Sequence, residues 1–210
     1  MNNADHAAAR RELVSALRRR LDASERTLSA IGSVPRHAFI PEPHRGSAYA
    51  DRPLPIGHDQ TVSAPHMVAM MMDLLNVDRG DRVFEVGTGC GYHAAIVAEV
   101  VGPGNVFSAE RVPELAAGAR ERLDRLGYDV TVVAVDGREA FADEAPFDAV
   151  YLTCAAPGSV PDAIVDRVRP GGRVVAPVRE NGRQRLVRLT VREDGVDRED
   201  HAGVRFVPMR

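Results

Sequence analysis

A doubly wound α/β fold, with a mostly parallel sheet of about seven strands and helices on both faces, is predicted by three observations. From Asp81 onward, strand-like and helix-like segments alternate, the pattern of right-handed βαβ units. A segment that reads as a buried strand, VFEV, runs straight into a glycine turn at Gly87, Gly89 and Gly91, and a helix opens behind it. The first third of the chain is instead helical and then rich in proline, and so reads as a cover over the sheet.

In chain order, Leu13, Leu17 and Leu21 recur every four residues among arginines and predict a helix over 7–21. Ser24 is placed to cap a second, shorter helix running to Ile31. Residues 35–65 carry Pro41, Pro43, Pro53 and Pro55, which predicts loop or extended chain, a length that usually signals function. APHMVAMMMDLLNV predicts a helix entered through Ser63, a standard cap before an early proline, with Met67, Met71 and Leu75 as core.

RVFEV, NVFSAE, DVTVVAVD, FDAVYLT and GRVVAPV then read as strands. Helices GYHAAIVAEVV, PELAAGARERLDRLG (closed by Gly127) and VPDAIVDRV are placed between them. QRLVRLTV and HAGVRFVP are expected to form a terminal antiparallel pair. Residues 1–76 supply helices and a loop and residues 77–210 the core, in a single domain of ordinary size.

Composition narrows the function. Apolar residues are 44% and charged residues 27%, so the chain is globular. A net charge of −3 argues against a nucleic-acid binder that relies on phosphate contacts. All 27 basic residues are arginine, which excludes a Schiff-base lysine and a P-loop. The amino-terminal residues are polar and no apolar run reaches eighteen, so a cytoplasmic protein without a membrane span is expected. Cys90 and Cys154 predict neither a disulfide nor a metal site, and no histidine spacing suggests a metal.

The glycine turn carries the chemistry. Dinucleotide folds place the third glycine one position later, so E-x-G-x-G-x-G disfavours a nicotinamide dehydrogenase. The pattern resembles the first motif of Rossmann-like S-adenosylmethionine (SAM) methyltransferases, and that resemblance puts Glu85 toward the methionine end of the cofactor. Glu110 ends the next strand some 20 residues beyond the turn, where an acid can accept both ribose hydroxyls. Asp136 and Gly137 follow the third strand, where the same resemblance implies adenine contact. Three such signals at successive strand ends predict a SAM site.

Upstream, D-x-P-x-x-I-G-x-x-Q-T-V-S-A-P-H-M at 51–67, together with EVGTGCGY, resembles the protein-L-isoaspartate O-methyltransferase family. VPRHAFIP at 34–41, residues 147–178 and GVRFVP at 203–208 extend the likeness over most of the chain. The resemblance implies methyl transfer from SAM to the α-carboxylate of L-isoaspartyl residues in damaged proteins, initiating repair through a succinimide. It implies Ser63 as the catalytic residue directed at that carboxylate, and Gln60, Thr61 and Val62 along the cofactor. It also implies a monomer, a glutamine near the cofactor at Gln184, and glycine where Arg179 stands. Asp51 is read as ordering the loop and His66 as making a structural hydrogen bond. A carboxyl methyltransferase for another peptide or small acid, or a non-catalytic SAM-binding adaptor, are the alternatives. Intact Ser63, Glu85 and Glu110 favour an enzyme.

Overall fold

The computed structural model describes residues 3–209; residues 1, 2 and 210 lie outside the described part. The elements run α1 (Asn3–Arg20), α2 (Glu25–Ser33), β1 (Leu54–Gly57), β2 (Gln60–Val62), α3 (Pro65–Leu75), β3 (Val83–Val86), α4 (Tyr92–Val101) and β4 (Val106–Ala109). They continue α5 (Pro113–Leu126), β5 (Val130–Val133), β6 (Phe147–Leu152), β7 (Ala156–Pro157), α6 (Asp162–Val165), β8 (Val168–Glu180), β9 (Arg183–Val191) and β10 (Val196–Gly203). The main sheet has the order β10-β9-β8-β6-β3-β4-β5, with β7 paired to β8. Strands β8, β6, β3, β4 and β5 are mutually parallel; β9 and β10 are antiparallel additions.

Most of the expected elements are present, and their local causes are visible. Ser24 caps α2, its hydroxyl accepting from the Thr27 amide at 3.2 Å. Gly127 ends α5 in the left-handed region at φ +79°. Helix α4 is apolar almost all round because it is buried between the sheet and α2. Val83, Ala149 and Tyr151 face the cluster built with α1–α5. Phe84, Phe107 and Phe147 face the opposite side, where Phe84 and Phe107 each meet Phe141 edge-on and pack against Phe147 at tilted and edge-on angles respectively. Helix cover is unequal, since α6 and a 3₁₀ turn (Ala142–Glu144) lie on that second face.

Three expectations need correction. The proline-rich stretch is folded into 3₁₀ turns at Arg36–Ala38 and Glu42–Ser47 and a β1–β2 hairpin. His58 and Asp59, both left-handed at φ +52° and +57°, form the two-residue hairpin turn. Ser63 does not cap α3, whose N-cap is Ala64 without a side-chain bond, because Pro65 sets the first turn unaided. The last strand is Val196–Gly203 rather than 201–208; the chain beyond it leaves the sheet. Ala155 donates to the Val207 carbonyl at 2.7 Å, and Met209 donates back to Ala155 at 2.9 Å.

Candidate active site

Strand order reverses between β3, which leads to β4, and β6 on its other side, so a crevice opens at the carboxyl ends of these strands. A cavity of about 360 Å³ occupies it, within the range of small-molecule sites. Its floor is the glycine turn after β3, with Glu110 after β4 and Asp136 and Gly137 beyond β5. Gln60, Thr61, Val62 and Ser63 line it from the hairpin side. Of the residues expected at the site, Gly91 and Gln184 stand outside the lining. Gly91 opens α4 at φ +90°, packed against Leu123.

The turn can only be glycine at Gly87. Its φ is +99°, and an added Cβ would collide with Thr153 Oγ1. Thr153 is fixed, since its hydroxyl donates to the Gly87 carbonyl at 2.5 Å. Gly137 is tight for a different reason: a Cβ there would run into the Val86 side chain, which lets the β5 loop press on the end of β3.

The acids differ in how much of each carboxylate is free. Glu110 accepts the Gly89 amide on Oε2 at 2.8 Å and the Val112 amide on Oε1 at 2.9 Å, one bond per oxygen. Each oxygen keeps acceptor capacity toward the cavity. Asp136 is engaged through both oxygens by the Arg138 guanidinium at 2.9 and 2.6 Å, which holds its carboxyl down at about 2. It is therefore a fixed anion. Gly137 and Arg138 carbonyls in turn accept from Arg167 at 2.9 and 2.6 Å.

Glu85 lies in a buried polar row. Strand register sets Ser108 and Tyr151 beside it, and their hydroxyls donate to its two oxygens at 2.5 and 2.7 Å. Burial pushes its carboxyl up to about 7, opposed by those two donors. The folded value exceeds the reference of 4.5, so its contribution to stability is full below pH 4.5 and is lost as pH rises through 7. Glu85→Gln should gain stability relative to the parent on going from pH 5 to pH 8, measured as urea midpoints. An unchanged difference would mean that no proton is taken up there. His93 lies beside the row, its ring tilted 44° to that of Tyr151 with centres 4.4 Å apart, and both its nitrogens are buried without a partner among the described residues. Burial brings it down to about 3, so it is neutral.

Ser63 reaches the cavity with a hydroxyl that has no hydrogen-bond partner among the described residues, while its carbonyl accepts from Arg36 at 3.0 Å. Asp51 and His66 lie outside the lining. Asp51 Oδ1 accepts both the His66 amide and its Nδ1 at 2.9 Å, the loop-ordering role expected of this pair. Gln184 does not reach the cavity. Its amide pins Phe206 instead, donating to the Phe206 carbonyl at 3.0 Å and accepting its amide at 2.6 Å. Arg179 pairs with Gln184 across β8 and β9, also away from the lining. Sequence reasoning missed His93, Thr153 and the tail at 207–209, which close the cavity. Cys90 and Cys154 are free thiols in its wall, and burial pushes Cys154 up to about 12. Among the described residues no group of three or more metal-type ligands gathers, and no helix is long and apolar enough to cross a membrane.

Comparison with known proteins adds the following. A family model described as Protein-L-isoaspartate(D-aspartate) O-methyltransferase (PCMT) matches residues 8–210. A protein-L-isoaspartate O-methyltransferase 2 of Archaeoglobus fulgidus is 46% identical, covering 98% of this chain and 94% of its own. The Methanothrix thermoacetophila protein-L-isoaspartate O-methyltransferase is 48% identical, over 89% of this chain and 88% of its own. A solved protein-L-isoaspartate O-methyltransferase superposes with a TM-score of 0.87 at 26% identity, covering 95% of this chain and 65% of that one. A Plasmodium falciparum structure, described as a putative member in complex with S-adenosyl-L-homocysteine, gives a TM-score of 0.84 at 27% identity, covering 96% and 98%.

Proposed function

Because the chain belongs to the protein-L-isoaspartate(D-aspartate) O-methyltransferase family, we propose that its cavity holds SAM against the acceptor carboxylate of an L-isoaspartyl residue and that Ser63 steers that carboxylate. The protein is a SAM-dependent methyltransferase of isoaspartyl-containing proteins. When bound, the donor supplies an activated sulfonium methyl. The single observation that carries the assignment of roles is the convergence on one cavity of the glycine turn, Glu110, the Asp136–Gly137 loop and Ser63.

The residues fit such a donor. Only a backbone without Cβ at Gly87 leaves the turn open for a ligand, and Glu110 keeps acceptor capacity on both oxygens for a ribose diol. Asp136 and Gly137 would border the nucleobase, Glu85 the methionine end, and Gly89 and residues 60–62 the sides. Gly91 serves indirectly, by starting α4.

An α-carboxylate is ionised at neutral pH, since its unperturbed pKa is near 3.5. No general base is required, which agrees with a neutral, buried His93 and with His66 tied to Asp51 outside the lining. What the protein supplies is alignment and exclusion of water, and orientation of reacting groups can contribute roughly 7–11 kcal/mol. Ser63, with its hydroxyl uncommitted, is the donor toward the acceptor oxygen. The ester so formed would close to a succinimide after release.

The test is transfer of labelled methyl from SAM to a synthetic isoaspartyl peptide beside its aspartyl isomer. Transfer to the isoaspartyl peptide alone is expected; equal labelling of both, or of neither, refutes the substrate reading. We propose further that the chain acts as one domain, monomeric and cytoplasmic, with no need of nucleic acid at a net charge of −3. Sedimentation at one-chain mass checks the monomer.

A further inference from the structure

We propose that Arg36 is the positioning residue of the acceptor site, acting through the backbone of Ser63. Arg36 is fully buried at 0% exposure, in the first 3₁₀ turn. Its guanidinium donates to four carbonyls: Ala48 at 2.5 Å, Ala50 at 3.3 Å, Arg52 at 3.2 Å and Ser63 at 3.0 Å. No carboxylate within ion-pair distance balances it among the described residues. One flank lies 5.4 Å from the centre of the Tyr92 ring, at the start of α4.

A buried charge with no counter-ion is costly unless its protons are well satisfied. Here the two terminal nitrogens spend their protons on carbonyls of two separate segments, while Nε stays without a partner among the described residues, so the guanidinium works as a rivet. The first segment, residues 48–52, carries Asp51, which holds the His66 amide three residues past Ser63. The second is Ser63 itself. Both sides of the turn entering α3 are thereby tied to the same buttress. The Ser63 hydroxyl has no bond of its own to fix it, so its aim depends on the peptide that Arg36 holds. The planar fork is needed, since one ammonium cannot present donors to four carbonyls in these directions.

The proposal rests on the reading that Ser63 serves the acceptor carboxylate, and the experiment separates the two. Arg36→Lys should lower kcat/KM for an isoaspartyl peptide about tenfold or more, since small misplacements of reacting groups are costly. The Kd for S-adenosylhomocysteine should stay within twofold, and rates are normalised to the sites that bind it. If the lysine variant fails to bind, Arg36→Gln, which keeps two donors without the charge, replaces it. In a Ser63→Ala background the same change should have little further effect, because the two act as one unit. A wild-type rate for Arg36→Lys, or equal fold-losses in both backgrounds, overturns the proposal. A silent Ser63→Ala removes the Ser63 reading and this proposal with it. A costly Ser63→Ala beside a silent Arg36→Lys overturns this proposal alone.

Discussion

Gly87→Ala should lose binding of S-adenosylhomocysteine by at least about a hundredfold, or some 2.7 kcal/mol, and should melt several degrees lower. Two costs combine. A side chain at φ +99° is strained by roughly 1–3 kcal/mol. The new methyl would also strike Thr153 Oγ1, which cannot turn aside without giving up its bonds to the Gly87 and Val86 carbonyls at 2.5 and 3.3 Å. Either the turn swells into the cavity or the end of β6 moves. Gly182→Ala is the control, at φ +75° with nothing within 4 Å of its added Cβ. It should lose stability through strain alone and bind normally. Isothermal titration and thermal melts of both variants decide the matter; native affinity in Gly87→Ala would remove the glycine turn from the donor site.

Ser63→Ala is expected to lower kcat/KM for an isoaspartyl peptide by one to two orders of magnitude. A hydrogen bond to a charged group is worth roughly 1.5–3 kcal/mol, which sets that range. Because the hydroxyl has no partner among the described residues, its removal leaves no orphaned group there, and the melting temperature should hardly change. Affinity for S-adenosylhomocysteine should also persist. The fold-loss relative to the parent should be constant from about pH 6 to 8, where the acceptor is already an anion in both proteins. Lost donor affinity or an unchanged rate would each exclude Ser63 as the carboxylate's partner.

Much of this architecture can be read from residues alone, and the exceptions have physical reasons. Apolar runs bounded by glycine and proline mark the parallel strands because both of their faces are buried. Ser24 and Gly127 are legible because capping is local chemistry. The final strand is not: Val196–Gly203 is an exposed edge carrying Asp197, Arg198, Glu199 and Asp200. Its register is set by ion pairs such as Arg192–Asp197 at 2.7 Å and by β9, without an apolar alternation. Residues 204–206 do alternate, yet Gln184 ties the Phe206 backbone to its own side chain in place of a strand partner. Motif spacing located Glu85, Glu110 and Asp136, whereas the hydroxyls of Ser108 and Tyr151 come from strand neighbours distant in sequence. Register alone joins them.

The tail that folds back over Ala155 brings a methionine to the mouth of the cavity. Of the six methionines, four lie on α3 between residues 67 and 72, and Met209 alone lines the cavity among the described residues. Isotopic enrichment of the methyl carbons would thus yield a sparse magnetic-resonance spectrum in which one peak reports occupancy. Titrating the demethylated product should displace that peak while its companions on α3, outside the lining, hold still, giving a direct view of ligand arrival and departure without any engineered label.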